Sequence, residues 1–203
     1  MTEGEIYNAN GPMLKALLRE IGLAKIRSFS CRDSKRDLQQ LIHQSLDENE
    51  ILILSGGISV GDFDYVKECL QEAKVTELFY KVKHRPGKPF FAGKKEGKWV
   101  FALPGNPASV LTCFILYVKP CIETMLGKEQ VWQPSLMPLA KETQKKSGFT
   151  CFLKGKRKGL EVEILRGQEP YNLKAFSIAD CLVELEENAQ TIKKGTYVKV
   201  YDL

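Results

Sequence analysis

The chain has 203 residues, 43% of them hydrophobic, and a formal net charge of +5. That is apolar material for one large domain or two modest ones, and a charge that suits an anionic small molecule but is too mild to argue for nucleic acid. No apolar run approaches the roughly 18 residues that cross a bilayer, and "MTEGEIYNAN" has no signal-peptide pattern, so no membrane partner is expected and the chain reads as cytoplasmic.

The first 127 residues alternate between helix and strand signals. In "NANGPMLKALLREIG", Pro12 sits at a first helical position and apolar residues recur at Met13, Leu14, Leu17, Leu18 and Ile21 before Gly22. A short strand is expected at Ala24–Phe29. Ser34-Lys35-Arg36-Asp37 resembles a capping box, and Leu38, Leu41, Ile42 and Leu46 form one helical face. Ile51–Leu54 reads as a strand buried on both sides, and Val66, Cys69, Leu70 and Ala73 as the core stripe of the next helix. Strands are expected at Leu78–Val82, Phe90–Ala92 and Trp99–Leu103, the last two joined by the turn "GKKEGK". "NPASVLTCFILYVKP" gives Asn106 as a cap, Pro107 in the first turn, and an apolar helix that Pro120 should stop. Such alternation predicts an α/β domain over residues 1–127 with a mostly parallel sheet in three layers.

The pattern changes near Gly127. Phe152–Leu153, the polar turn "KGKRKG", the alternating Leu160, Val162 and Ile164, and then Val198 and Val200 predict a small β-rich domain over residues 128–203. Six cysteines lie far apart with no C-x-x-C pair, so they read as reduced, mostly buried thiols.

Three junctions carry chemistry. In "LILSGGISVGDFDYVKECL" a strand ends in Gly56-Gly57, where bare backbone N–H groups usually meet an anion, yet Asp62 and Asp64 lie beside it. One acid caps a helix; two are better explained if a hard cation such as Mg²⁺ bridges a carboxylate to phosphate oxygens. Asp33 lies at the end of another expected strand, from which it can join the same sheet edge or equally cap a helix. "ALPGNPAS" stiffens a second strand-to-helix turn with Pro104 and Pro107, leaves Gly105 open to a ligand, and offers Asn106 to cap or bind. "KHRPGKP" flanks a Pro-Gly turn with Arg85 and Lys88, which suits an oxyanion or a plain solvated loop. His43 and His84 have no partner visible in sequence and receive no role.

"GGISVGDFDYVK", "RPGKP", "LPGNPAS" and the early "GEIYNAN" stand in the order and approximate spacing of the molybdopterin molybdenumtransferase family, the MoeA and gephyrin E-domain type, which this chain resembles. The resemblance implies a molybdopterin-binding α/β domain followed by a small β-barrel-like domain. It implies transfer of molybdenum from molybdate into adenylylated molybdopterin, with Mg²⁺-dependent release of AMP. On that likeness Asp33 and Asp64 match acidic catalytic and metal-binding positions. Gly56, Gly57, Ser59 and Gly61 line the ligand loop, Lys81, Arg85 and Lys88 the anion side, and Pro104, Gly105, Asn106 and Pro107 the second loop, with Asn10 a further substrate-binding residue. Members of the family carry two further domains upstream, and also a first strand and acidic segment just before "GEIYNAN", so a homo-oligomer or a separate chain supplying them is the implied partner. A non-catalytic molybdopterin- or protein-binding scaffold and a related molybdopterin adenylyltransferase are the alternatives.

Overall fold

A computed structural model describes residues 8–31, 34–58, 65–129, 133–169 and 173–203. The chain divides into two compact units, Met1–Tyr80 with Pro89–Val110, and Lys81–Lys88 with Leu111–Leu203.

In the first unit the helices form where periodicity placed them: α1 (Asn10–Glu20), α2 (Lys35–Glu48) and α3 (Tyr65–Glu72). Ser34 caps α2, its hydroxyl accepting from the Asp37 N–H at 3.4 Å. The strands β1 (Ile51–Ser55), β2 (Thr76–Tyr80), β4 (Phe91–Lys95) and β5 (Lys98–Leu103) order as β1-β5-β4-β2. Only β1 and β5 run parallel; β4 joins β5 through a two-residue turn at Glu96-Gly97, both with positive φ, and β2 adds antiparallel to β4. Ile42, Leu46, Val66, Cys69, Leu70, Val100 and Ala102 form one core cluster, with Leu52 and Leu54 packed against it. Lys35 ties the start of α2 to Glu68 and Glu72 of α3 at 2.6 and 3.0 Å.

Two expectations for this unit need correction. Ala24–Phe29 is not a strand: the segment is unpaired and mostly exposed, because no described strand lies beside it to take its backbone hydrogen bonds. Ile51–Leu54 is half-buried rather than buried on both sides, since β1 is the edge of the described sheet and has a neighbour on one side only.

The helix that opens at Pro107 is not stopped by Pro120. α4 (Pro107–Cys113) passes through a π-helical stretch at Phe114–Val118 into α5 (Lys119–Met125). The Lys119 N–H bonds the Phe114 carbonyl, five residues back. In a regular α-helix the proline ring would collide with the carbonyl four residues before it; the wider turn makes room. The resulting 19-residue helix, Pro107–Met125, is long and apolar enough to cross a membrane by length and composition, contrary to the sequence reading. Its residues Val110, Phe114, Ile115, Val118 and Ile122 are buried in the protein, as in a core helix.

The second unit is β-rich. Its main sheet orders β3 (His84–Arg85), β8 (Thr150–Lys158), β10 (Cys181–Leu185), β12 (Tyr197–Asp202) and β6 (Ser135–Pro138), with β9 (Glu161–Ile164) paired to β8. β7 (Thr143–Gln144) and β11 (Thr191–Ile192) form a separate ladder. The strand order does not close into a ring among the described residues, although a bridge between Leu139 and Val162 reaches across. Leu139, Val162, Cys181, Val183, Leu185, Val198 and Val200 make the core. The expected turn "KGKRKG" is instead the second half of β8, and the chain reverses at Gly159-Leu160, leaving Leu160 88% exposed rather than inward. Gly155 explains this: a Cβ there would lie 2.7 Å from a Val183 methyl and 3.0 Å from Cys181 Sγ, so the glycine marks close strand packing, not a bend. Gln168 holds this region by accepting from the Lys154 N–H at 2.9 Å and donating to the Lys154 and Leu165 carbonyls. All described cysteines are free thiols, with Cys69, Cys113 and Cys181 buried and Cys31 exposed.

Candidate functional site

Within the first unit, three segments converge at the C-terminal ends of the parallel strands β1 and β5. The Gly56 N–H donates to the Leu103 carbonyl at 3.1 Å, tying the two strand ends together. Gly56 and Gly57 follow with φ of 85° and 68°. At Gly57 a side chain is doubly excluded, by that φ and by a Val66 methyl 2.8 Å from where a Cβ would stand. Beyond β5, Pro104 is buried while Gly105 and Asn106 are exposed. Gly105 lies beside the first loop: a Cβ added to it would meet the Gly56 Cα at 3.9 Å, an ordinary van der Waals contact. Pro107 is the first helical residue of α4, and the Asn106 carbonyl accepts the first helical bond from Val110 at 3.0 Å.

Asn10 completes this group from the start of α1. Its Nδ2 donates to the Gly105 carbonyl at 2.8 Å, and its Oδ1 is buried without a hydrogen-bond partner among the described residues. A buried amide oxygen with no donor is costly unless something supplies one or coordinates it. Convergence of this kind, at the carboxyl ends of parallel strands, is where open α/β sheets take ligands. Asp33, Ser59, Gly61, Asp62 and Asp64 lie outside the described residues. Among the described residues, no group of three or more His, Cys, Asp or Glu side chains is placed to hold a metal.

Within the second unit, Lys81, Arg85 and Lys88 lie exposed on one short loop. Lys81 takes a positive φ of 66° at its entrance, and the Val82 N–H closes the loop on the Lys88 carbonyl at 2.9 Å. β3 anchors the loop to β8, pairing His84 with Thr150 and Arg85 with Cys151, and the Arg85–Pro86 bond is cis. The Arg85 guanidinium lies 4.3 Å and the Lys88 ammonium 5.7 Å from the centre of the Phe149 ring. Lys145 fixes Phe149 from behind, its ammonium donating to the Phe149 and Glu187 carbonyls at 2.9 and 3.0 Å.

Sequence reasoning gave His84 no role, yet it is 4% exposed and its Nδ1 lies 2.8 Å from the Pro86 carbonyl. Burial pushes its pKa down to about 4, against a smaller upward pull from that carbonyl. Phe149 was also missed. No local pattern joins it to "KHRPGKP"; only the pairing of β3 with β8 does so.

Comparison with known proteins identifies two families along the chain. The family model described as a probable molybdopterin binding domain matches residues 1–124, and the MoeA C-terminal region (domain IV) matches residues 137–203. The molybdopterin molybdenumtransferase of Staphylococcus aureus is 31% identical over 205 residues, covering 98% of this chain and 49% of the relative. That of Staphylococcus epidermidis is 30% identical over 202 residues, covering 97% and 48%. A crystal structure of a Pyrococcus horikoshii molybdopterin biosynthesis MoeA protein superposes with a TM-score of 0.82 at 30% identity, covering 100% of this chain and 49% of that one. A molybdenum cofactor biosynthesis protein of Pyrococcus furiosus shares the fold, with a TM-score of 0.75 at 18% identity, covering 96% and 64%. The chain spans about half the length of the curated relatives it matches.

Proposed function

This chain belongs to the molybdopterin-binding domain family joined to a MoeA-type C-terminal region, and from that membership we propose that it takes part in transferring molybdenum from molybdate into adenylylated molybdopterin, with Mg²⁺-dependent release of AMP. The observation that carries the reading is the convergence of Asn10, Gly56 and Gly105 at the ends of β1 and β5.

On this reading, residues 1–127 act as the pterin-handling α/β domain and residues 128–203 as a supporting β-rich domain. Gly57, Ser59 and Gly61 offer backbone N–H groups to the substrate's phosphate, and Gly56, whose own N–H is spent on the Leu103 carbonyl, ties their loop to β5. Gly105 and Asn106 line the second wall, held in shape by Pro104 and Pro107. Lys81, Arg85 and Lys88 attract molybdate or the phosphate by charge. The fit for Mg²⁺ is chemically sound at one described atom, the unpartnered oxygen of Asn10, which is a hard ligand. Asp33 and Asp64 would hold the ion with it. A bound Mg²⁺ would neutralise charge on the phosphate oxygens.

A companion proposal concerns the assembly. The active species is an oligomer of this chain, or this chain with a second cytoplasmic polypeptide resembling the other half of its relatives. A second reading is a non-catalytic scaffold that binds molybdopterin or protein. Molybdenum insertion measured with this chain, Mg²⁺ and adenylylated molybdopterin, with and without the upstream half of a relative, separates the two. Activity that Asp64→Asn abolishes is the outcome expected for the enzyme. Binding of the pterin without turnover under every condition would leave the scaffold.

A further inference from the structure

We propose that His84 is a positioning residue for the cationic loop: carrying its proton on Nδ1, it holds the Pro86 carbonyl and so fixes the backbone from which Arg85 and Lys88 meet an oxyanion. That the oxyanion is molybdate rests on the function proposed above; the brace itself rests on geometry.

A carbonyl oxygen can only accept, so the 2.8 Å contact makes His84 Nδ1 the donor. Nε2 is then a bare lone pair, and it is buried with no hydrogen-bond partner among the described residues. A proton there would be an unsatisfied buried donor, which favours the same tautomer. The ring plane is set by neighbours: Tyr117 stacks on it at 5.7 Å and 22°, and Phe152 meets it edge-on at 5.2 Å and 86°. With its pKa pushed down to about 4, the ring stays neutral and keeps this donor arrangement through the physiological range.

The rest of the loop is tied in the same manner. The Lys83 carbonyl accepts from the Thr150 N–H at 3.2 Å and the Lys88 carbonyl from the Val82 N–H at 2.9 Å. The Gly87 carbonyl accepts from the buried Cys113 thiol at 3.7 Å. Pro86 sits between the two cations, and the imidazole is what holds its carbonyl. Backbone oxygens are thereby occupied, while Arg85 and Lys88 remain exposed on the Phe149 ring.

The test uses the full chain. Ring ¹⁵N shifts of His84 should report a proton on Nδ1 at neutral pH; a proton on Nε2 overturns the proposal without any variant. Molybdate binding is then compared by calorimetry in wild type, His84→Leu and His84→Asn. Asparagine keeps a donor close to the Nδ1 position. Leucine should weaken binding about tenfold, roughly one hydrogen bond's worth, and asparagine should stay within about threefold of wild type. Equal affinity for leucine and wild type, or equal loss for both variants with intact thermal melts, overturns the positioning role. If wild type binds no molybdate, the anion reading falls, and amide exchange at Gly87 and Lys88 decides the brace: faster exchange in His84→Leu supports it, unchanged exchange overturns it. Should the leucine variant fail to fold, the ring tautomer of the wild type decides between the same two outcomes.

Discussion

Asn10 and Gly105, far apart in sequence, are joined by a 2.8 Å hydrogen bond from the Asn10 amide to the Gly105 carbonyl, while the amide oxygen is left buried and unpartnered. That asymmetry makes aspartate an informative replacement. At neutral pH Asn10→Asp puts a carboxylate against a carbonyl, losing the donor and burying charge; when protonated it regains an O–H donor. The destabilisation relative to wild type should therefore be larger at pH 7 than at pH 4. Asn10→Ala should cost about 1 kcal/mol at both. Urea midpoints at the two pH values decide it, and equal penalties for aspartate would mean that the hydrogen bond contributes nothing.

His84 gives the fold a defined acid sensitivity. Its folded pKa, about 4, lies below the ordinary 6.5, so between these values the unfolded chain binds a proton that the folded chain does not. The stability it contributes is present above pH 6.5, declines as pH falls, and is gone near pH 4, a total on the order of 3 kcal/mol. His84→Phe removes the titrating group and should flatten that window. Unfolding free energies measured in steps from pH 7 to pH 4 test this; parallel curves for the two proteins would refute it.

Gly155 fixes how closely β8 meets β10. An added methyl would stand 2.7 Å from Val183 Cγ2 and 3.0 Å from Cys181 Sγ, and both neighbours are buried. Gly155→Ala should cost about 1–3 kcal/mol through overpacking. Gly155→Ala combined with Val183→Ala should recover part of that loss, because the second change removes the nearest methyl. A thermal melt of each variant reads the coupling.

The exposed cations on the short loop should bind weakly and be screened. Lys88→Ala and Arg85→Ala are each expected to reduce molybdate affinity several-fold, and wild-type affinity should fall as salt rises from about 0.02 to about 0.5 M, values on the scale where the Debye length shrinks from about 20 to about 4 Å. Calorimetry giving salt-independent binding would move the anion away from this loop.

The helices were legible because short-range chemistry fixes them: the Ser34 cap, the apolar stripes at Leu38–Leu46 and Val66–Ala73, and Pro107 at a helix start. The glycine junctions were legible for the same reason. Pro120 misled because whether a proline stops a helix depends on the turn before it, and Phe114–Val118 widen to admit it. "KGKRKG" misled because its glycine records contact with Val183 and Cys181, residues that only strand pairing brings near. The roles of His84 and Phe149 depend on Tyr117, Phe152 and Lys145, so no local pattern announces them.

Arg85 and Lys88 rest on the Phe149 ring and, among the described residues, pair with no carboxylate. A cation held by an ion pair must exchange one anion for another when a ligand arrives, and the gain is the difference between two similar attractions. A ring holds the same cation by about 0.5–1 kcal/mol at an exposed site, without neutralising it. On the proposed reading, an oxyanion would meet charge that is still outwardly felt and side chains whose rotamers are already chosen, with no ion pair to break among the described residues. Replacing Phe149 by glutamate would turn that open seat into an occupied one.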